Sequence, residues 1–133
     1  MTVVLFPGRM NPPHLGHIMT ILKAKEKYGC VIVAVIDDEF DGVKPNLIDT
    51  DAVIGILNDI FRHVGCVTVI DGGMPFRLRD SFDDLPDFDF IVSGSMDVLD
   101  NCRSHGMKVE YIGRSPLYRG EFIREACRKE MNI

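Results

Sequence analysis

Residues 3–36 read VVLFPGRMNPPHLGHIMTILKAKEKYGCVIVAVI, and this stretch decides the fold. It opens on Val3-Val4-Leu5-Phe6, a short β-branched run that is apolar at successive positions. A helical pattern follows from Gly16 to Tyr28, with Ile18, Ile21, Leu22 and Lys25 at helical spacing. It stops at Gly29, a residue suited to the position after a helix end. A second apolar run, Cys30 to Ile36, comes next. Short strands apolar on both faces and joined through a helix belong to a parallel sheet covered on both sides.

Outward from this unit the pattern continues. Further strands are expected at Cys66–Ile70, within Phe88–Ser93 and at Val109–Ile112. Helices are expected at Asp51–His63, carrying Val53, Ile56, Leu57, Ile60 and Phe61, then at Asp97–Ser104 and Tyr118–Lys129. This order predicts an α/β protein, a Rossmann-like doubly wound five-stranded parallel sheet forming a single domain over residues 1–133. Gly29-Cys30-Val31 and Gly65-Cys66-Val67 look alike, and each reads as a helix stop followed by a strand start. The stretch Asp71–Asp87 is the least regular. It reads as a crossover with a short helix around Arg79–Asp84 and a solvated acidic cluster at Asp83, Asp84 and Asp87. The second helix is apolar on more than one face because Ala52 and Ile54 join its main stripe. Both a dimer interface and burial under the crossover fit that excess.

At 133 residues the chain has the size of one domain. With 46% hydrophobic and 26% charged residues it can bury a core. The net charge of −5 and the pI near 5.3 argue against bulk nucleic-acid binding, which needs a basic face, yet leave room for a local anion pocket. No apolar run approaches the roughly 18 residues of a membrane span, and the first residues lack the basic and apolar regions of a signal peptide. No membrane partner is expected. The cysteines, Cys30, Cys66, Cys102 and Cys127, form no C-x-x-C pair. Cys30 and Cys66 open apolar runs and are expected as buried free thiols, with neither a zinc site nor a disulfide framework. A cytoplasmic location fits.

In such sheets ligands bind beyond the carboxyl ends of the strands, where strand order reverses. Phe6-Pro7-Gly8-Arg9-Met10-Asn11-Pro12-Pro13-His14-Leu15-Gly16-His17 follows the first strand and is neither G-x-G-x-x-G nor a P-loop. Gly8 allows a sharp turn and room for a ligand. Pro12 and Pro13 stiffen the loop before a helix start. His14 and His17 share one helical face, and Gly16 has no side chain to obstruct a nucleotide. A helix N-terminus favours an anion by roughly 0.3–1 kcal/mol, and two imidazoles can donate to phosphate oxygens. Two surface histidines that merely cap a helix are the competing reading.

Gly8 to His17 resembles the first signature of the nucleotidylyltransferase superfamily, the H-x-G-H enzymes. Its cytidylyltransferase and nicotinamide-nucleotide adenylyltransferase branches carry G-x-F-D-x-x-H-x-G-H and G-R-F-Q-P-x-H-x-G-H, and the Gly8-Arg9 pair and the proline before His14 lean toward the second. The resemblance implies that His14 and His17 hold and polarise the nucleotide phosphates. It implies nucleotide or phosphate contacts for Phe6, Gly8, Arg9, Met10 and Gly16. Ile36 to Lys44 is similar to the S-T-D-E-F-N-x-x-K stretch of glycerol-3-phosphate cytidylyltransferases, which gives Lys44 a phosphate-contacting role; a solvated loop lysine is the alternative. Gly94 and Ser95 occupy the strand-four turn that approaches the nucleotide. Arg114 to Arg124 falls in register with R-T-x-G-I-S-T-T-x-I-[KR], which nominates Arg114, Arg119 and Gly120 for phosphate and Arg124 for catalysis. Cations that simply favour the C-terminal half of a helix are the alternative for Arg124.

The pattern also departs from the family. Arg119 and Glu121 stand where the family has hydroxyl residues, Val53 stands where cytidylyltransferases have an arginine, and no acidic pair follows Gly94. The resemblance implies transfer of a nucleotidyl group from an NTP, CTP or ATP, to a phosphorylated small-molecule acceptor. Pyrophosphate leaves, with Mg²⁺ carried on the substrate phosphates. The Gly-Arg form hints at ATP, whereas the D-E-F-x-x-x-K stretch hints at CTP and extends the likeness over more of the chain. A homodimer without nucleic-acid partners is expected. A nucleotide-binding or sensing module with weakened catalysis is the alternative.

Overall fold

Five parallel strands form one sheet in the order β3-β2-β1-β4-β5 in the computed structural model, which describes residues 2–37 and 46–113. Lys44 and everything from Arg114 onward, including the expected helix Tyr118–Lys129, lie outside the described residues. The central strand β1 (Thr2–Gly8) buries Val4, Leu5, Phe6 and Pro7 in succession, so both of its faces are covered. It pairs with β2 (Gly29–Ile36) from Thr2↔Gly29 to Gly8↔Val35, and with β4 (Phe90–Ser93) at Val4↔Phe90 and Leu5↔Ile91. Asp89 extends the second seam. Its carboxylate accepts from Val3 N at 2.7 Å and its own N–H donates to the Val3 carbonyl at 2.7 Å.

Strand periodicity sorts the core into two layers. Val4, Phe6, Val31, Val33, Val35 and Val92 pack with Ile21 and Ala24 of α1 (Leu15–Tyr28) and with Val53 and Leu57 of α2 (Thr50–Ile60). Leu5, Ala34, Ile36 and Ile91 pack with Phe76 and with Cys102 of α3 (Met96–Ser104). The chain winds outward from β1 through β2 to β3 (Val67–Gly73), then crosses back to β4 and winds the other way to β5 (Val109–Tyr111). Right-handed crossovers running in opposite directions place their helices on opposite faces. Among the described residues no helix is long and apolar enough to cross a membrane.

Several boundaries depart from expectation. The second helix ends at Ile60 rather than His63, because Phe61 turns out of the helix as its cap and buries its ring in the core. The third strand starts at Val67, not Cys66, and runs on to Gly73. Its extension depends on Gly72, which lies against Ala34 of β2 with no room for a side chain. No helix forms at Arg79–Asp84; a single 3₁₀ turn at Phe76–Leu78 precedes it, and Arg79 is extended and buried. Its guanidinium bonds the Gly72 and Ser81 carbonyls and the Asp84 carboxylate, drawing the crossover together over the ring of Phe76. Asp84 is therefore more than a solvated acid. Its hydrogen bonds from Arg79 hold its carboxyl below the usual carboxylate range. The resulting stability is present above that range and is lost as pH falls through the lowered value. Cys30 is half-buried and Cys66 exposed, against the expected burial, because both sit at strand mouths where the layers end. On α2, Ile54 packs against the core, whereas Ala52, Ile56 and Ile60 stay exposed.

Two glycine substitutions test this packing with opposite signs. A Cβ on Gly72 would meet Ala34 Cβ at 2.9 Å and the Ala34 carbonyl carbon at 3.1 Å, so Gly72→Ala is expected to destabilise by about 1–3 kcal/mol. A Cβ on Gly55, inside α2, meets nothing within 4 Å, so Gly55→Ala is expected to stabilise by about 0.5–1 kcal/mol. Urea unfolding of the two variants reads both signs.

Candidate functional site

Strand order reverses between β1 and β4, and the carboxyl ends of these neighbours carry Gly8 and the Ser93-Gly94-Ser95 turn. Each strand runs into its helix here, so the N-termini of α1 and α3 open on the same edge of the sheet. At the first, Met10 adopts φ +48° and folds its side chain back into the core, with Cε 3.0 Å from where a Cβ on Gly8 would stand. A side chain at position 8 would press on that methionine tip, which glycine leaves room for. At the second, Ser93 Oγ accepts from Ser95 N at 3.1 Å, and Ser95 Oγ caps α3 from Val98 N at 3.5 Å.

The histidines form a reciprocal cap on α1. His14 is the N-cap residue, and its Nδ1 accepts from Gly16 N at 3.0 Å. His17 Nδ1 accepts from His14 N at 3.1 Å. The rings stack with centroids 3.7 Å apart and planes 26° from parallel. This is a capping box built from imidazoles instead of a hydroxyl and a carboxylate. An Nδ1 that accepts from a backbone N–H carries no proton, so the neutral ring bears its hydrogen on Nε2. Each imidazole thus uses Nδ1 to hold the helix start and carries its N–H on the other nitrogen. The first turn of α1 contains no acidic residue, whereas α3 carries Asp97 in its first turn.

Two of the expected contact residues are buried. Phe6 and Met10 are only 2% and 1% exposed and belong to the core, so their side chains line no open surface; backbone is what they can offer a nucleotide. Gly8, Arg9, His14, Gly16, His17, Gly94 and Ser95 do gather at the two helix mouths. Lys44, Arg114, Arg119, Gly120 and Arg124 lie outside the described residues.

A second layer of the site was not anticipated. Asn11 Oδ1 accepts from Leu47 N at 2.9 Å and Ile48 N at 3.0 Å, while its Nδ2 donates to the Ile48 carbonyl at 2.7 Å. Arg9 donates through Nε and Nη2 to Asn46 Oδ1 at 3.3 and 3.2 Å, and Asn46 Nδ2 donates to Asp37 Oδ1 at 2.9 Å. The segment entering α2 is thereby tied to the histidine loop. The available signal was the Asn-Pro dipeptide, which marks a turn but does not reveal which distant backbone the amide will grip. Among the described residues no group of three or more His, Cys, Asp or Glu side chains could hold a metal ion.

A family model described as cytidylyltransferase-like matches residues 5–94, which run from β1 through the mouth of α1 to Gly94, at the end of β4. The chain belongs to that family. Its members fall within the nucleotidylyltransferase superfamily, alongside proteins of the NMN adenylyltransferase kind. A nicotinamide-nucleotide adenylyltransferase from Pyrobaculum neutrophilum is 31% identical over 65 residues, 49% of this chain and 36% of that protein. The chain thus spans about a third of the length of the curated relative it matches. Among solved structures, a lipopolysaccharide core biosynthesis protein from Thermoplasma volcanium superposes with a TM-score of 0.63 at 17% identity, over 86% of this chain and 98% of that one. A bifunctional NMN adenylyltransferase/ADP ribose pyrophosphatase from Francisella tularensis gives 0.67 at 12% identity, over 97% of this chain and 42% of that one. The same bifunctional protein is also known in complex with AMP and a Mn ion, at a TM-score of 0.62. At such identities the likeness shows a shared Rossmann-like α/β fold.

The clamp between the two loops has a direct test. Asn11→Ala removes three short hydrogen bonds and leaves backbone groups unsatisfied, at a cost of about 1–3 kcal/mol. Urea unfolding should read that loss. Amide exchange should accelerate at Leu47 and Ile48, with the strands of the sheet keeping their relative order of protection.

Proposed function

We propose that the protein transfers a nucleotidyl group from an NTP, CTP or ATP, to a phosphorylated small-molecule acceptor and releases pyrophosphate. The observation that carries this reading is the imidazole pair, whose Nδ1 atoms are engaged by the helix cap so that each neutral ring bears its N–H on Nε2, at a helix start whose first turn holds no acidic residue. Family membership and the adenylyltransferase relative support the same reaction class.

The chemistry asks for positioning and charge stabilisation more than for a nucleophile. An acceptor phosphate oxygen is already anionic at neutral pH. It attacks the α-phosphorus of the NTP as the bond to the leaving pyrophosphate breaks. In this reading the Nε2–H groups of His14 and His17 and the amides of the α1 mouth take the charge that builds on the phosphate oxygens. Gly8 and Gly16 let the nucleotide approach the backbone, and Gly94 and Ser95 bound it from the β4 side. Arg9, Lys44, Arg114, Arg119, Gly120 and Arg124 complete the phosphate contacts, with Lys44 and Arg124 acting on the reacting phosphates. A divalent cation, Mg²⁺, would be carried on the substrate phosphates, where it neutralises charge; the described side chains build no separate cage for it. Residues 1–133 act as one domain in the cytoplasm, and two copies pair through the exposed Ile56 and Ile60 of α2. Sedimentation of an Ile56→Lys variant as a monomer would support that pairing.

One feature favours a second reading. Arg119 and Glu121 replace the hydroxyl residues of the family's last motif, which would suit a protein that binds nucleotide and turns it over slowly.

Pyrophosphate release from each NTP, with Mg²⁺ and a panel of phosphorylated acceptors, decides between the two readings. Turnover with one pair names both base and acceptor; calorimetric binding without turnover on any acceptor selects the second reading. Losing His17 as His17→Ala should lower the rate about 10²–10³-fold. His14→Asn separates the two uses of an imidazole. Asparagine still caps a helix, so stability should stay within about 0.5 kcal/mol, yet the phosphate donor is gone and the rate should fall. An unchanged rate in both variants would defeat the assignment.

A further inference from the structure

The matching junctions Gly29-Cys30-Val31 and Gly65-Cys66-Val67 meet in space. The β2–β3 ladder runs in register from Val31↔Val67, and one step earlier Val31 N still donates to the Cys66 carbonyl at 2.9 Å. Cys30 and Cys66 therefore stand side by side at the mouths of adjacent parallel strands. Neighbouring strands lie about 4.7–4.9 Å apart, inside the roughly 4.4–6.8 Å between Cα atoms that a disulfide bridges. Cys66 is the neighbour that most perturbs the Cys30 thiol, as adjacent side chains would. Cys66 takes φ +63°, a left-handed conformation that favours glycine. Cys66 is exposed to solvent and Cys30 half-buried behind it.

We propose that Cys30 and Cys66 form a redox-active dithiol that reacts with low-molecular-weight disulfides and closes to an intramolecular disulfide joining β2 to β3. The exposed Cys66 reacts first. Its thiolate attacks one sulfur of the external disulfide, the S–S bond breaks, and one small thiolate leaves and takes up a proton. Cys66 then carries a mixed disulfide. Cys30 gives up its proton to solvent and attacks Cys66 Sγ, expelling the second small thiol. Two protein thiols are oxidised by two electrons in total, and the external disulfide is reduced to two thiols.

The order of events follows from the surroundings. The neighbouring Cys66 thiol, and then burial, push the Cys30 thiol up, and the Lys25 charge acts the other way, so the more exposed Cys66 is the first to react. Cys102 is the internal contrast. It is fully buried on the inner face of α3, and burial pushes its thiol up to about 11, so it is inert to the same reagent. The pair lies at the amino-terminal edge of the sheet, whereas His14 and His17 follow the carboxyl end of β1. Its chemistry does not depend on the nucleotide reading.

The test treats the Cys127→Ser protein with glutathione disulfide. The expected product is a monomer lighter by two hydrogen atoms, with two free thiols lost and a peptide map linking the Cys30 and Cys66 peptides. Dithiothreitol should restore the starting mass, and the oxidised form should melt several degrees higher. Cys30→Ser in the same background should stop at a glutathione adduct on Cys66. Cys66→Ser should react roughly tenfold more slowly. A parent protein that accumulates glutathione adducts without an internal link, or links through Cys102 or between chains, overturns the proposal.

Discussion

Everything in this fold depends on the burial of β1 on both faces between two parallel partners. A strand in that position cannot turn back through a hairpin. Its chain has to leave from the carboxyl edge and return over one face through a helix. The start of α1 is therefore forced to the edge where strand order reverses, and α3 reaches the same edge from β4 by the same logic. Two helix N-termini, with their unpaired amides and positive ends, converge there before any side chain is considered.

The histidine pair refines that arrangement. A hydroxyl or carboxylate cap would satisfy the α1 amides equally well, and a carboxylate would also neutralise the helix end. Imidazoles cap through Nδ1 and still carry an N–H on the far side of the ring. Stability and phosphate recognition are thus carried by different atoms of the same two residues. The stacked geometry follows from the reciprocal cap, which folds the N-cap ring of His14 against His17 in the first turn.

Asn11 and Arg9 add a constraint of another kind. They fasten the histidine loop to the chain that leads into α2, so two connections from the same sheet edge behave as one unit. On the opposite face Arg79 does the corresponding work for the β3–β4 crossover, with its charge answered by Asp84 and two carbonyls. Loops held in this way keep their geometry at the edge of a sheet, where the hydrophobic core no longer orders them.

The sequence by itself determined the parallel α/β class, the number of strands and the histidine loop. Consecutive apolar residues in short runs, separated by helical periods and glycine stops, admit few other folds. It also pointed to His14, Gly16 and His17 as neighbours, because their contacts lie within one helical turn. Only the tertiary structure decided which atoms the imidazoles present, that Phe6 and Met10 turn inward, that Asn11 grips Leu47 and Ile48, and that Cys30 stands against Cys66. Apart from the imidazole cap, whose bonds stay within one turn, those outcomes rest on hydrogen bonds and packing set by the fold. Local spacing carries no record of such pairings, since they exist only once the sheet has set its register.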